Sequence, residues 1–143
     1  MTTRPAAELR RQVVERARNR CEYCLLPQEL AASTHQVDHV IAEKYGSQTV
    51  IENLALSCTL CNRRKGSDLS SLDPVTGTLV PLFNPRTQPW SAHFRLEGAH
   101  IFGVTIEGRT TVAFLRLNAV ERVIERTAFL RAGRYPPGSG HHG

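Results

Sequence analysis

The chain has 143 residues, enough for one domain with a modest hydrophobic core, and its 41% hydrophobic and 22% charged residues are ordinary for a globular protein. No apolar run approaches the roughly 20 residues of a membrane-spanning helix, and the first residues lack the apolar core of an export signal. We therefore expect a cytoplasmic protein. In that compartment, four cysteines in two close pairs favour a metal over disulfides.

Positive charge is concentrated in three parts of the chain. The formal net charge is +5 and the pI is near 9.4. Arginine is frequent in residues 4–20 and 116–134, and Arg63, Arg64 and Lys65 form a third cluster. This distribution favours a polyanionic partner, with nucleic acid the first candidate. A solvated basic surface without a partner is an equal alternative on charge alone.

The first predicted element is a helix near the N-terminus, capped by Thr3 and with Pro5 in its first turn. It carries an apolar stripe at helical spacing, formed by Ala6, Leu9, Val13 and Ala17. We expect the helix to pack through this stripe, to end at Asn19, and to bring its arginines near phosphates.

The central stretch predicts a strand and a short helix between and after two cysteine pairs. Beta-branched residues favour a strand from His35 to Ile41. Residues 49–51 are expected to make brief pairing contacts before the second cysteine pair. Asn62 then follows that pair and would cap a helix that ends near Gly66.

The C-terminal half predicts irregular chain, a hairpin and a helix. Residues 72–89 are rich in proline, glycine, aspartate and threonine, which predicts turns. Residues 99–106 and 109–117 flank Glu107-Gly108 and predict a β-hairpin. A helix would start at Asn118, stop at Gly133, and present an apolar face of Val120, Val123, Ile124 and Ala128.

Two C-x2-C pairs form the strongest single signal in the chain, namely Cys21, Cys24, Cys58 and Cys61. The 33 residues between the pairs exceed the usual ribbon spacing of about 15–20. A long insert is tolerable because the entropy of loop closure grows slowly with length. Four thiolates bind Zn²⁺ tetrahedrally and leave no open position, so the predicted zinc site is structural. Four free cysteines or two disulfides are the alternative.

A second group of residues, Asp38, His39 and Asn62, predicts a catalytic site close to the first. A carboxylate is a hard ligand suited to Mg²⁺ or Mn²⁺, and the oxygen of an asparagine side chain could be a second ligand. A neutral imidazole is a good general base. Each signal is weak alone, because an Asp-His pair is common on surfaces and Asn62 could simply cap a helix.

The segments CEYC, VDHVI, ENLALSC and CNRRK, spread over about residues 18–67, together resemble the zinc-containing HNH endonucleases. This resemblance implies a ββα-metal core of two antiparallel strands and a short helix. The expected α+β fold has that core, the four-cysteine zinc site, the N-terminal helix, and a C-terminal β-hairpin plus helix. We expect a single domain over 1–143, with the core at 18–67, an extension at 72–135 and a tail at 136–143.

The resemblance also implies roles for individual residues. Asp38 and Asn62 would bind the catalytic Mg²⁺ or Mn²⁺, His39 would be the general base, and Asn53 would hold His39 in orientation. The substrate-binding candidates are Arg63, Arg64, Lys65 and His35. His35 could also be a third metal ligand, or a partly exposed histidine with no partner. Ala42 departs from the family pattern, in which proline often follows the first strand.

The sequence therefore predicts a metal-dependent endonuclease that hydrolyses DNA phosphodiester bonds, by nicking or by double-strand cleavage, with one divalent ion. A zinc-stabilised nucleic-acid-binding module without catalysis is one alternative, and RNA as substrate is another. The joint presence of Asp38, His39, Asn53 and Asn62 argues against a module that only binds.

Overall fold

Helices alternate with three two-stranded antiparallel sheets along residues 6–137, which are the residues described by this computed structural model. The α+β fold class is confirmed. The predicted cap at Thr3 and most of the predicted tail lie outside the described residues. The helices and strands, in chain order, are α1 (Ala6–Ala17), β1 (Gln36–His39), β2 (Leu54–Ser57), α2 (Thr59–Lys65), β3 (Ser70–Leu72), β4 (Leu79–Pro81), α3 (Trp90–His93), β5 (Phe94–Glu97), β6 (His100–Gly103), α4 (Ile106–Phe114) and α5 (Val120–Arg131).

The first helix packs through most of the predicted stripe. Leu9, Val13 and Ala17 are buried and form a core cluster with Leu54 and Leu56 of β2, whereas Ala6 is exposed. The helix stops after Ala17 because the next two residues take positive φ angles of 58° and 57°. Helix α1 therefore packs against β2 through this cluster.

The predicted ββα order is confirmed. Strands β1 and β2 pair antiparallel, with Asp38 opposite Ala55 and His39 opposite Leu54, and α2 follows after one residue. Two details differ. Residues 51–53 form a 3-10 turn, so pairing begins only at Leu54. Helix α2 begins at Thr59, so Asn62 lies inside it and does not cap it.

The stretch predicted to be irregular contains a small hairpin. Strands β3 and β4 pair antiparallel, and the residues rich in turn signals close the loop between them. The amide of Asp73 donates to Thr78 O at 2.8 Å, and its carboxylate accepts from Arg109 Nε and Nη2 at 2.8 and 2.7 Å. The hairpin is thereby joined to α4. The composition correctly predicted the turn but did not predict the short strands on either side of it.

The predicted C-terminal hairpin is misplaced by several residues. The observed hairpin joins β5 to β6 through Gly98, which has a φ of 58°. Residues predicted as its second strand form α4 instead, because the Thr105 side chain caps that helix by accepting from Gly108 N at 3.0 Å. Gly108 lies in the helix, where a Cβ atom would stand 2.1 Å from His93 O.

Helix α5 exists as predicted, but with a different start and a different buried face. Ala119 takes the cap position, while the Asn118 side chain bonds the backbone N and O of Ile101 at 2.9 and 2.8 Å. The predicted apolar face is largely in solvent, with Val120 and Ile124 exposed by 72% and 64%. The buried side chains are two arginines, Arg122 and Arg126. Gly133, with a φ of 74°, ends the helix region as expected.

The larger core cluster joins the cysteines to the C-terminal half. It contains all four cysteines and Tyr23 together with Phe83, Phe94, Ile101, Leu115 and Leu117. Residues beyond the motif region therefore complete the packing around the sulfur atoms. None of the helices within residues 6–137 has the length and apolar character needed to cross a bilayer.

Candidate metal centre and catalytic site

The four cysteines converge in one buried cluster. Their Sγ atoms all lie within 4.8 Å of one another, with 3.7 Å between those of Cys24 and Cys58, and none forms a disulfide. One pair lies in the turn after α1, and the other lies at the start of α2. Four sulfur donors converging in a buried site fit a tetrahedral Zn²⁺ and leave no position for substrate.

Hydrogen-bond donors surround these sulfur atoms. The amides of Tyr23 and Cys24 point at Cys21 Sγ from 3.4 and 3.5 Å. Arg122 Nη2 lies 3.1 Å from Cys61 Sγ and 3.9 Å from Cys58 Sγ. Although burial opposes its charge, the Cys61 and Cys24 sulfurs raise the pKa of Arg122 above its usual range. The guanidinium therefore supplies positive charge where four thiolates would carry an excess of negative charge.

The C-terminal half also holds the first cysteine turn in place. Tyr135 Oη donates to Cys24 O at 2.8 Å, and Trp90 Nε1 donates to Tyr23 O at 2.9 Å. Both bonds reach the backbone, so they fix the path of the turn regardless of which metal it holds. Neither these two residues nor Arg122 could be found from the motifs, because their partners lie more than 60 positions away in the chain.

Asp38 offers an oxygen atom without a hydrogen bond. Its side chain is 13% exposed, and Oδ2 is buried without a hydrogen-bond partner among the described residues. The nearest cation is Lys65, whose Nζ lies 4.0 Å away. Burial raises the pKa of Asp38, and the charges of Lys65 and His39 oppose that rise. A partly buried carboxylate with an uncommitted oxygen suits a hard cation such as Mg²⁺ or Mn²⁺.

Asn62 lies on the side of α2 that packs against β1. Its Nδ2 donates to the Gln36 side chain, two residues before Asp38 on the same strand. Because alternate strand residues share a face, Gln36 and Asp38 project from the same side of β1. The structure therefore brings Asn62 to the side of the strand that carries Asp38.

Two predicted substrate contacts are buried, and we correct them. Lys65 is 3% exposed, and its Nζ donates to Val40 O at 3.0 Å. His35 is 1% exposed, and its Nε2 lies 2.8 Å from Leu26 O, so that nitrogen must be the donor. Neither side chain has surface for a phosphate, and His35 is not the partly exposed strand residue expected. Arg63 and Arg64 are exposed on α2, as a phosphate contact requires.

His39 is held at one ring nitrogen by a short chain of polar groups. Its Nε2 lies 2.8 Å from Thr49 Oγ1, which in turn donates to Glu43 Oε2 at 2.8 Å. The hydroxyl has one hydrogen, which goes to Glu43, so Thr49 accepts from His39 Nε2–H. This tautomer leaves Nδ1 as the acceptor. A histidine oriented in this way is suited to remove a proton from water.

Asn53 contacts the loop beside His39 and makes no hydrogen bond to the imidazole within the described part of the chain. Its Nδ2 donates to Ile41 O at 2.9 Å and Gln48 O at 3.1 Å, and its Oδ1 accepts from Ile41 N at 3.0 Å. These bonds close residues 41–48, the loop that brings Glu43 to Thr49. The Asn53 side chain therefore affects His39 through this loop.

Comparison with known proteins agrees with this arrangement. Residues 21–68 match the family model described as HNH endonuclease. This segment contains the four cysteines, both strands of the first sheet, and α2. This match confirms the resemblance to the HNH endonucleases seen in the motifs, and a domain of that family implies nuclease activity on a nucleic acid.

A curated relative is the Septu protein PtuB of Bacillus thuringiensis. It is 27% identical over 114 residues, which cover 78% of this chain and 42% of the relative. The chain thus spans less than half of that protein's length. No solved structure matches the chain.

Proposed function

We propose that the protein is a metal-dependent endonuclease that hydrolyses DNA phosphodiester bonds, with His39 as the general base. The observation that carries this proposal is the orientation of His39. The contacts to Thr49 and Glu43 leave its Nδ1 as an acceptor. His39 also directly follows Asp38, whose Oδ2 has no hydrogen-bond partner among the described residues. Both residues lie inside the segment that matches the HNH endonuclease family.

Asp38 and Asn62 are the residues that would hold one catalytic Mg²⁺ or Mn²⁺. When bound, such an ion stabilises negative charge on the phosphate and on the leaving oxygen. The uncommitted oxygen of Asp38 supports this assignment, and so does the position of Asn62 on the helix facing β1. Lys65 would compete for the same carboxylate, since its ammonium is 4.0 Å from Oδ2.

His39 would accept the proton of the attacking water at Nδ1. The resulting imidazolium would be stabilised by Glu43, whose Oε2 lies 3.6 Å from Nε2. Thr49 would keep the ring in one tautomer, and Asn53 would keep the loop that carries Glu43 closed. Glu43, Thr49 and Asn53 would thus each have a different effect on the His39 imidazole.

The cysteine cluster would hold one structural Zn²⁺ in a cytoplasmic protein, where unpaired cysteines persist. The domain would extend over 1–143, with the HNH core at 18–67 supported by the extension at 72–135. The shared core cluster of cysteines and C-terminal side chains supports this organisation.

Phosphate contacts would come from arginines whose side chains make no hydrogen bond or ion pair with the residues at 6–137. Arg63 and Arg64 on α2 are exposed, and so is Arg18 after α1. In contrast, Arg16 donates to the carbonyl oxygens of Ile51 and Leu54. Such backbone contacts would position DNA without reading its sequence.

The experiment is incubation of the protein with supercoiled plasmid and, separately, with RNA, each with Mg²⁺, Mn²⁺ or EDTA. We expect plasmid cleavage that requires the divalent ion and is lost in His39→Ala. Cleavage of RNA alone would change the substrate class. Tight DNA binding without cleavage under any condition would favour a module that only binds.

A further inference from the structure

A cleft of about 330 Å³ lies where the HNH segment meets the C-terminal extension. One wall comes from the end of β1 and from α2, including Val40, Ile41 and Lys65, and the other comes from residues 81–88. Its volume is within the range of small-ligand sites, about 300–1,000 Å³. Phe83 of the second wall belongs to the larger core cluster, and the other residues of that wall lie outside the proposed catalytic site.

The cleft opens beside the proposed catalytic residues. Val40 follows His39 directly, and its carbonyl accepts from Lys65 Nζ at 3.0 Å. The same ammonium is 4.0 Å from Asp38. Through Lys65 the cleft borders Asp38, the proposed ion-binding carboxylate, so a group bound in it would lie near the scissile phosphate.

Two amide side chains on the second wall have fixed orientations. Asn84 Oδ1 accepts from Arg86 N at 2.8 Å, and Gln88 Oε1 accepts from Asn84 N at 2.8 Å. Because both oxygens accept from backbone N–H groups, the NH₂ group of each side chain is left as its donor end. Neither NH₂ group donates to another described residue. The side chains that line the cleft therefore include two NH₂ groups without a partner among the described residues.

The charge of the lining argues against a phosphate as the occupant. Asp68 contributes a carboxylate, and the ammonium of Lys65 is already bonded to the backbone and paired with Asp38. Apolar atoms of Ile41 and Leu69 cover much of the remaining surface. Flat, neutral groups with hydrogen-bond acceptors suit such a lining better than an anion.

We infer that this cleft binds one nucleobase of the substrate, adjacent to the scissile phosphate. The NH₂ groups of Asn84 and Gln88 read acceptor atoms on its edge, such as N7 and O6 of guanine. This inference rests on the proposed function in requiring a nucleic acid substrate. The extension then contributes recognition of sequence to a site whose arginines contact only the backbone.

The first test measures base preference. Wild-type protein cleaves a DNA library randomised around one site, and each position is scored. Gln88→Glu keeps the oxygen that bonds Asn84 N but removes the NH₂ donor. We expect a preference at one flanking position that falls about tenfold in this variant, the size typical of one good base contact. Ala128→Glu, which adds the same charge on the exposed side of α5, is the control and should keep the preference.

Two outcomes overturn the inference. One is an unchanged preference profile in Gln88→Glu, and the other is a wild-type enzyme that cuts all flanking sequences equally. A reduced overall rate with the same profile counts as an unchanged profile. If the wild-type protein cuts no DNA or RNA, the proposed function fails. A second measurement then tests whether the cleft binds a nucleobase.

That second measurement is photocrosslinking and does not depend on cleavage. The His39→Ala protein is irradiated with oligonucleotides that carry 5-iodouracil at successive positions, and the crosslinked tryptic peptide is identified. We expect one position to label the peptides covering residues 81–88. Labelling confined to the arginines of α1 and α2 would place the bases elsewhere and reject the nucleobase site.

Discussion

His39 is the single residue on which the proposed chemistry depends most. We expect His39→Ala to slow single-turnover cleavage by roughly 10²–10⁴-fold, the usual contribution of a general base. DNA binding and zinc content should persist, since the exposed arginines and the cysteines are elsewhere. Asp38→Ala should also abolish cleavage but by weakening the divalent ion, so metal titration distinguishes the two. Near-normal cleavage by His39→Ala would refute the mechanism.

Thr49 tests how the imidazole is oriented. Thr49→Val keeps the shape of the side chain but removes the hydroxyl that bonds both Nε2 and Glu43. We expect kcat to fall, by less than in His39→Ala, with KM little changed, because the ring loses its fixed tautomer and not its nitrogen. Thr49→Ser restores the hydroxyl and should restore most of the rate. Equal cleavage rates for Thr49→Val and Thr49→Ser would show that the bond between this hydroxyl and His39 has no part in catalysis.

Asn62 tests the second ligand of the catalytic ion. We expect Asn62→Ala to raise the Mg²⁺ or Mn²⁺ concentration needed for half-maximal cleavage, with partial rescue at higher Mn²⁺. Zinc content should stay the same, because the Asn62 side chain bonds Gln36 and not a cysteine. Lower activity with unchanged metal dependence would assign Asn62 to the packing of α2 on β1.

The motif spacing predicted Asp38, His39, Asn53 and Asn62, and the structure shows why it missed their supports. Glu43 and Thr49 lie beside His39 on a loop that the Asn53 side chain helps to close. The path of that loop depends on backbone hydrogen bonds that no residue spacing encodes. Lys65 was predicted to contact a phosphate from the family resemblance, yet it is buried here, where a carbonyl and a carboxylate beside it stabilise its charge.

At the scale of secondary-structure elements, the ββα unit was predictable and the extension only partly so. The cysteine pairs mark the ends of the unit, and β-branched residues mark its first strand. In the extension, apolar residues at 99–106 and 109–117 suited strands and helices alike, and the Thr105 cap decided for α4. Helix α5 was misread because its buried arginines are paired with partners from distant segments.

Arg122 is the residue of α5 that contacts the cysteine sulfurs. We expect Arg122→Met, which keeps the length but removes the charge, to lose zinc to a chelator more readily. Replacing residues that contact metal ligands typically costs 10–100-fold in metal affinity. Arg131→Met, at an exposed position of the same helix, is the control. Competition with a chromogenic chelator measures both, and equal affinities would mean that Arg122 only fills space.

At the scale of the whole molecule, the cysteine cluster links the HNH segment to the extension. It shares a core with Phe83, Ile101 and Leu117, so loss of the metal should affect both halves. We expect Cys58→Ala to unfold the protein, because the free energy of zinc binding is part of the free energy of folding. Thermal unfolding followed by circular dichroism is the measurement. Folded Cys58→Ala protein with a normal melting transition would contradict a structural metal.

The contact between Arg122 and Cys61 joins residues 61 positions apart in the chain, and this separation has a consequence for biosynthesis. At about 5–20 residues per second, roughly 3–12 s pass between addition of the last cysteine and addition of the arginine. During that interval the nascent chain has all four sulfur ligands but not the cation that lies against them. We expect zinc to reach the thiolates most easily before α5 packs against them, and to be harder to remove afterwards.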